Sequence, residues 1–338
     1  MAEKFFGRYG DQDVKVFILR TECLELHVLE LGATLQRVRV KGRDGNWYDS
    51  VLFHDDLDKY LTSGGFWGAV CGRCANRIGD AQVSINGITY LLDKNEGGNN
   101  LHSGPDGFHF KVFSGKQKSE DTVTFTRLSP DGEQGFPGNM MVTVTYRITP
   151  ENGVEIIYQT TTDQDTVWNI TNHAYFNLAG QGDILNHTLR LSADFYTPVD
   201  KTLLTTGEIV TVEQTPFDFR NPVKLSDRIG SGANQLPGGY DHNFVLCPDA
   251  DKPLADYYCP DTGIGMEMYT TLPGVQIYSA AAMDGTLSSG GTPVPRFGGL
   301  CFETQFFPNS FSHKHFPVPV QKAGTLMTQK TEYRFYTQ

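Results

Sequence analysis

No run of five or six lysines or arginines occurs in the 338 residues, and 39 acidic against 28 basic side chains leave a formal net charge of -11. Nucleic-acid affinity rests on cationic side chains that displace counterions from phosphates. An acidic chain without a basic stripe is therefore a poor match for nucleic acid, and a neutral ligand fits better. Long apolar runs are missing too: no stretch approaches the roughly 20 residues that span a bilayer. The charged N-terminus MAEKFFGRYGDQD lacks the apolar core and small-residue cleavage site of a signal peptide. No membrane partner is expected, and the expected compartment is the cytoplasm. Cysteines are few: Cys23, Cys71, Cys74, Cys247, Cys259 and Cys301. In a reducing compartment they read as buried thiols rather than bridges. Cys71-Gly-Arg-Cys74 has CxxC spacing, which can mark a redox site or half a zinc site. No second CxxC and no thioredoxin-like βαβ pattern accompany it.

Long amphipathic helical periods are also absent, and the best helix candidate is the short DDLDKYL at 55–61. What the chain has in quantity is punctuation, with 36 glycines and 17 prolines spread along its length and short β-rich runs between them. Asn86-Gly87, between Val83, Ile85 and Ile88, Tyr90, is the strongest hairpin signal, because Asn-Gly accepts the positive φ angles of a type I′ turn. VTVTYRI (142–148) and VEIIYQTT (154–161) flank Pro150-Glu151-Asn152-Gly153, and Asp44-Gly45 and Asp131-Gly132 mark further turns. The pattern predicts an all-β fold: one large antiparallel domain over 1–338, with two packed sheets around a core drawn from the 39% of residues that are apolar. No repeat or low-complexity segment interrupts it.

Strand parity singles out two segments. Alternation in TVWNITNHAYFNLAG puts Trp168, Ile170, Ala174 and Phe176 on one face and Asn169, Thr171, His173 and Tyr175 on the other. The second face is polar without being charged, which suits a sugar-binding cleft and equally suits a solvated sheet. In GLCFETQFFPNS, Leu300, Phe302, Thr304 and Phe306 share a face opposite Cys301, Glu303, Gln305 and Phe307. Glu303 stands alone among apolar neighbours. Buried, its pKa would rise and make it a usable base near neutral pH; on an edge strand it would be an ordinary exposed carboxylate.

A set of motifs in fixed order adds to this. GRCANRIG (72–79), NNLHSGPDGF (99–108), SPDGEQGFPG (129–138), TNHAYFNLAG (171–180), GGYDHNFVL (238–246), PGVQIY (273–278) and FETQFFP (302–308) together resemble the aldose 1-epimerase, or galactose mutarotase, family over nearly the whole chain. The resemblance implies a galactose mutarotase-like β-supersandwich with a sugar cleft on one sheet, acting on free hexoses without cofactor or metal, as a monomer or homodimer. It implies Glu303 as general base and His173 as general acid, with Asn76, Arg77, His102, Tyr175, Asp241 and Gln276 holding the sugar. In that scheme Glu303 accepts the O1 proton as a carboxylate and His173 donates to O5 as an imidazolium. Ala174 stands where some relatives have Ser, and Phe306-Phe307 where others have Asn-Trp, changes that bear on the cleft rim and hexose preference.

Three rival readings make distinguishable demands. A silent carbohydrate-binding protein on the same sandwich would not need both base and acid, and both are present. A phosphosugar epimerase would need cations converging on a phosphate; Arg73 lies near Arg77 in sequence, but only Arg77 matches a sugar-contacting position. A cupin-type metal enzyme is suggested by His313-Lys-His315, yet FPVPVQ follows where such sites place a glutamate, so the pair reads as a loop beside prolines.

Overall fold

Turn chemistry and strand alternation together build the fold in the computed structural model, which describes residues 2–232, 235–248 and 252–338. Asn86 and Gly87 take φ values of 52° and 79° and join Gln82–Ile85 to Ile88–Leu91, as a type I′ hairpin requires. Asn152, at φ 55°, turns Met140–Ile148 into Gly153–Thr162, with Ile148 opposite Val154. The α-helix Leu57–Thr62 begins two residues later than the sequence pattern suggests. Asp56 is its N-cap, and that carboxylate accepts the Asp58 amide at 2.9 Å.

Three antiparallel sheets carry the architecture. The first is a five-stranded meander of Ala2–Tyr9, Gln12–Arg20, Leu24–Leu29, Leu35–Lys41 and Trp47–Asp49. Nine strands form the second, in the spatial order Ser114–Gln117, Thr122–Ser129, Met140–Ile148, Gly153–Thr162, Met327–Thr337, Ile264–Thr270, Ala255–Tyr258, Thr188–Leu191 and Val223–Lys224. The third has six: Tyr175–Phe176, Leu300–Gln305, Gly274–Tyr278, Asp241–Val245, Phe195–Thr197 and Val210–Thr211. Inward residues of all three meet in one apolar cluster. Phe17, Leu26 and Val38 come from the first sheet, Phe125, Val144 and Ile156 from the second, and Phe244, Ile277 and Phe302 from the third. Each such side chain contributes roughly 1.5–3 kcal/mol by leaving water. The Tyr333 hydroxyl donates to the Phe302 carbonyl at 2.8 Å and ties the second sheet to the third.

Parity in the third sheet positions the site. Val275, Ile277, Leu300 and Phe302 enter the core, so Gln276, Tyr278, Cys301 and Glu303 face the other way. Loops cover that second face, and Glu303 is only 2% exposed. Its strand is interior, flanked by Tyr175–Phe176 and Gly274–Tyr278, which removes the edge-strand reading.

Two expectations need correction. The segment around His173 is not one continuous strand. Thr166–Val167 pairs with Val320–Gln321, Thr171–Asn172 with Val70–Cys71, and Tyr175–Phe176 with Leu300–Cys301. The chain is handed between three partners, and each change of partner breaks the ladder. Its parity nonetheless survives, since Trp168, Ile170, Ala174 and Phe176 all lie in the core cluster. All six cysteines are free, but only Cys71, Cys74, Cys259 and Cys301 are buried, while Cys23 and Cys247 are exposed. Burial pushes the Cys74 thiol up to about 12 and Cys71 well above its ordinary value, which leaves both as unreactive thiols.

Candidate active site

The six-stranded sheet and the loops over it enclose a cavity of about 620 Å³, within the usual range for small-molecule sites. Asn76, Arg77, His102, His173, Tyr175, Asp241 and Glu303 all line it. Gln276 does not. It lies behind Asp241, to which its side-chain amide donates at 2.7 Å, and so orients that carboxylate.

Local backbone geometry aims each group. Arg77–Ile78 pairs with Asn100–Leu101, and the left-handed residues on either side, Asn76 at φ 60° and His102 at φ 48°, lock together. His102 N–H donates to the Asn76 carbonyl at 3.1 Å, and Asn76 N–H donates to His102 Nδ1 at 3.2 Å. With Nδ1 accepting, the hydrogen of the neutral ring sits on Nε2, which points at Glu303 Oε2 from 3.9 Å. His173 Nε2 approaches Glu303 Oε1 at 3.5 Å, and its Nδ1 lies 3.6 Å from the Cys301 sulfur. Glu303 Oε2 is buried with no hydrogen-bond partner. Two imidazoles thus flank one carboxylate at distances a little too long for direct bonds, a gap that ligand hydroxyls can fill.

Arg77 is forked onto Glu96, with Nε–Oε2 2.6 Å and Nη2–Oε1 2.9 Å, and its Nη1 lies 3.5 Å from Asp241 Oδ2. Burial works against the guanidinium charge, but the Glu96 hydrogen bond and the charge of Asp241 outweigh it and hold the pKa above its ordinary value. Glu96 was not found in the sequence, where it is one acid in a polar loop, DKNEGGNN; only its pairing across space identifies it. Phe66 was missed for the same reason. Its ring packs on His102 and His173 at centroid distances of 4.5 and 5.6 Å. Tyr175 spends its hydroxyl on the Gly65 carbonyl at 2.7 Å, so it forms wall and fixes the loop before Phe66.

Burial, reinforced by the nearby charge of Asp241, raises Glu303 well above the ordinary carboxylate value, as the apolar run predicts. Burial also lowers His173 to about 4 and His102 well below its usual value. These shifts run against the ionised pair that the acid–base scheme invokes: without ligand, burial favours the carboxylic acid on Glu303 and neutral rings on His173 and His102. The physical reason is desolvation, which favours the uncharged form of each partner.

His102, His173 and Glu303 also bring three potential metal-ligand atoms within 4.8 Å of one another. The fit to a metal is poor, because the Asn76 amide keeps the hydrogen on His102 Nε2 and leaves that nitrogen no lone pair to offer. Arg73 is buried away from the cleft, donating to Ser129, Pro130 and Pro137 at 2.8–2.9 Å. Among the described residues Arg77 is the one Lys or Arg side chain on the cavity wall. His313 and His315 lie elsewhere, and each ring donates to a backbone carbonyl, of Thr205 and Gly207.

Fold and site define a β-sandwich protein with a buried acid–base cleft for a neutral, hydroxyl-rich ligand. The family profile described as aldose 1-epimerase matches residues 15–334. The chain is 40% identical over 332 residues to the galactose mutarotase of Rattus norvegicus, covering 96% of this chain and 95% of that one, and 38% identical to that of Homo sapiens over the same shares. The aldose 1-epimerase of Escherichia coli K12 is 35% identical over 331 residues, 96% of each chain. Among solved structures, a galactose 1-epimerase from Lactobacillus acidophilus superposes with a TM-score of 0.88 at 25% identity, over 99% of this chain and 98% of that one. The chain belongs to the aldose 1-epimerase family.

Proposed function

We propose that this protein is an aldose 1-epimerase, an isomerase that interconverts the α and β anomers of free hexoses such as D-galactose and D-glucose. The observation that carries the reading is a buried carboxylate, Glu303, with one oxygen unpartnered, set between His173 and His102 on the cleft wall. Anomer exchange needs one base and one acid. Glu303 takes the proton from O1 as C1–O1 becomes a carbonyl; C1–O5 breaks, and His173 gives its proton to O5. A half-turn about C1–C2 presents the other carbonyl face, and O5 attacks it while both protons return. Each proton-transfer group contributes roughly 10²- to 10⁴-fold.

A proton on Glu303 and neutral His173 carry the same total charge as carboxylate and imidazolium, so the pair titrates as a unit. A bound pyranose, donating O1–H to the carboxyl group and offering O5 to His173, favours the ionised placement. His102, fixed as an Nε2–H donor, steadies the sugar or the developing charge on oxygen. Asp241, oriented by Gln276, and Arg77, oriented by Glu96, take the ring hydroxyls. The enclosed Arg77 is already committed to two carboxylates, which speaks against a phosphosugar. The presence of both base and acid speaks against a silent binding protein. One domain over 1–338, working in the cytoplasm as a monomer or homodimer, completes the proposal. The test is optical rotation of freshly dissolved α-D-galactose and α-D-glucose with and without protein. Rotation must approach equilibrium faster with protein, and an unchanged rate would end the reading.

A further inference from the structure

Beside Arg77 and Asp241 the cleft is completed by a leucine that neither packing nor backbone preference accounts for. The strand Phe195–Thr197 pairs with Asp241–Val245, and the chain then makes a small hairpin in which Val199 bridges Thr205. At its tip, Asp200 Oδ1 accepts the amides of Thr202 and Leu204 at 2.7 and 3.2 Å, and Asp200 N–H donates to the Leu204 carbonyl at 2.8 Å. Leu203 takes the remaining turn position at φ 62°. That region suits Gly, or Asn with its short polar side chain, and strains a branched apolar residue. Burial does not compensate, since the side chain is 38% exposed and lines the cleft. Strain kept without packing gain is characteristic of ligand contacts.

The hairpin is held from outside the cleft by His313 and His315. His313 Nε2 donates to the Thr205 carbonyl at 3.1 Å and His315 Nε2 to the Gly207 carbonyl at 2.7 Å. Thr205 Oγ1 donates to the Pro308 carbonyl at 2.8 Å. Gly207 sits at φ 93°, and a Cβ there would lie 2.6 Å from His313 Nδ1, so glycine is what lets that ring lie against the hairpin.

Resting on the epimerase reading, we infer that Leu203 is a specificity-determining contact that covers an apolar C–H face of the bound pyranose, with His313 and His315 as the positioning residues that hold it there. Hexoses differ in which face carries contiguous C–H groups, because inverting one carbon moves a hydroxyl between the edge and the face of the ring. An apolar contact in the same cleft as the charged groups that take the hydroxyls therefore discriminates among epimers while leaving the reacting C1 and O5 untouched.

The experiment is mutarotation kinetics on α-D-galactose and α-D-glucose for wild type, Leu203→Gly, Leu203→Asn, His315→Ala and the Leu203→Gly/His315→Ala double variant, with melting temperatures alongside. Leu203→Gly relieves the backbone strain, so it melts at or above wild type. Its KM rises about three- to tenfold with kcat within about twofold, and its galactose-to-glucose ratio of kcat/KM shifts. Leu203→Asn, which also tolerates the left-handed backbone, gives the same KM rise and guards against a loosened turn. His315→Ala raises KM in smaller measure and adds nothing further to Leu203→Gly, because both act through one side chain. Unchanged KM for both sugars in folded Leu203→Gly and Leu203→Asn, with an active wild type, overturns this inference alone. An inactive wild type overturns the epimerase reading and this inference with it.

Discussion

At the scale of single residues, the account turns on where one proton sits. Burial raises Glu303 and lowers His173 to about 4, so the ligand-free protein is expected to hold a carboxylic acid between two neutral rings at neutral pH. Infrared difference spectra should then contain a protonated-carboxyl band near neutral pH that vanishes in Glu303→Gln; its absence from the wild type would place the proton on His173. The pH dependence of kcat/KM is bell-shaped in either case, since activity needs the pair to hold one proton. It falls on the acid side when a second proton binds and on the alkaline side when the last one leaves. With Glu303 raised and His173 lowered, the acid limb follows the histidine and the alkaline limb the carboxyl, reversing the usual assignment. Asp241→Asn removes a charged acceptor that contributes about 1.5–3 kcal/mol, so KM should rise roughly ten- to a hundredfold. Unchanged kinetics in that variant would take Asp241 out of the site.

Elements were legible where their cause is local. The Asn86-Gly87 hairpin, the turn at Asn152 and the core parity of Trp168, Ile170, Ala174 and Phe176 follow from turn chemistry and a period of two, and all three are present. What local rules do not contain is a change of partner. The segment 166–176 reads as one strand because its alternation never breaks, yet it is shared among three partner strands from distant parts of the chain. The site divides in the same way. Residues inside distinctive motifs, such as His173 and Glu303, were found and line the cleft. Gln276 was assigned to the sugar but stands one layer behind, and Glu96, Phe66 and Leu203 carry no motif, so only the fold brings them to the cleft wall. A test at this scale is Gly87→Ala, which forces a Cβ onto a residue at φ 79° with open space around it. The loss of stability should be about 1 kcal/mol, from backbone preference alone. An unchanged denaturation midpoint would contradict the turn geometry.

For the whole molecule, buried neutral histidines set the acid limit of stability. Burial holds His54, His109, His173, His187 and His242 at about 4 each. Below pH 6.5 the unfolded chain binds protons that these folded rings refuse, so their stabilising contribution is complete above about 6.5 and is lost as pH falls toward 4. His187 isolates the effect. It is fully buried outside the cleft, stacked on Tyr257 at 5.0 Å, with neither ring nitrogen hydrogen-bonded. Its share is roughly 3 kcal/mol across that window. His187→Phe should flatten the decline of Tm between pH 6.5 and 4, and an equally steep decline would show that other groups govern acid unfolding. Catalysis is the property for which the whole assembly is arranged, and it is tested most directly by pre-equilibrium polarimetry on Glu303→Gln shown to be folded by its melting temperature. The side chain keeps its size and can still accept hydrogen bonds but cannot take the O1 proton, so kcat for mutarotation should fall by at least about 10²-fold while the sugar still binds. A kcat near that of the wild type would contradict the assignment of Glu303 as the base and the acid–base mechanism built on it.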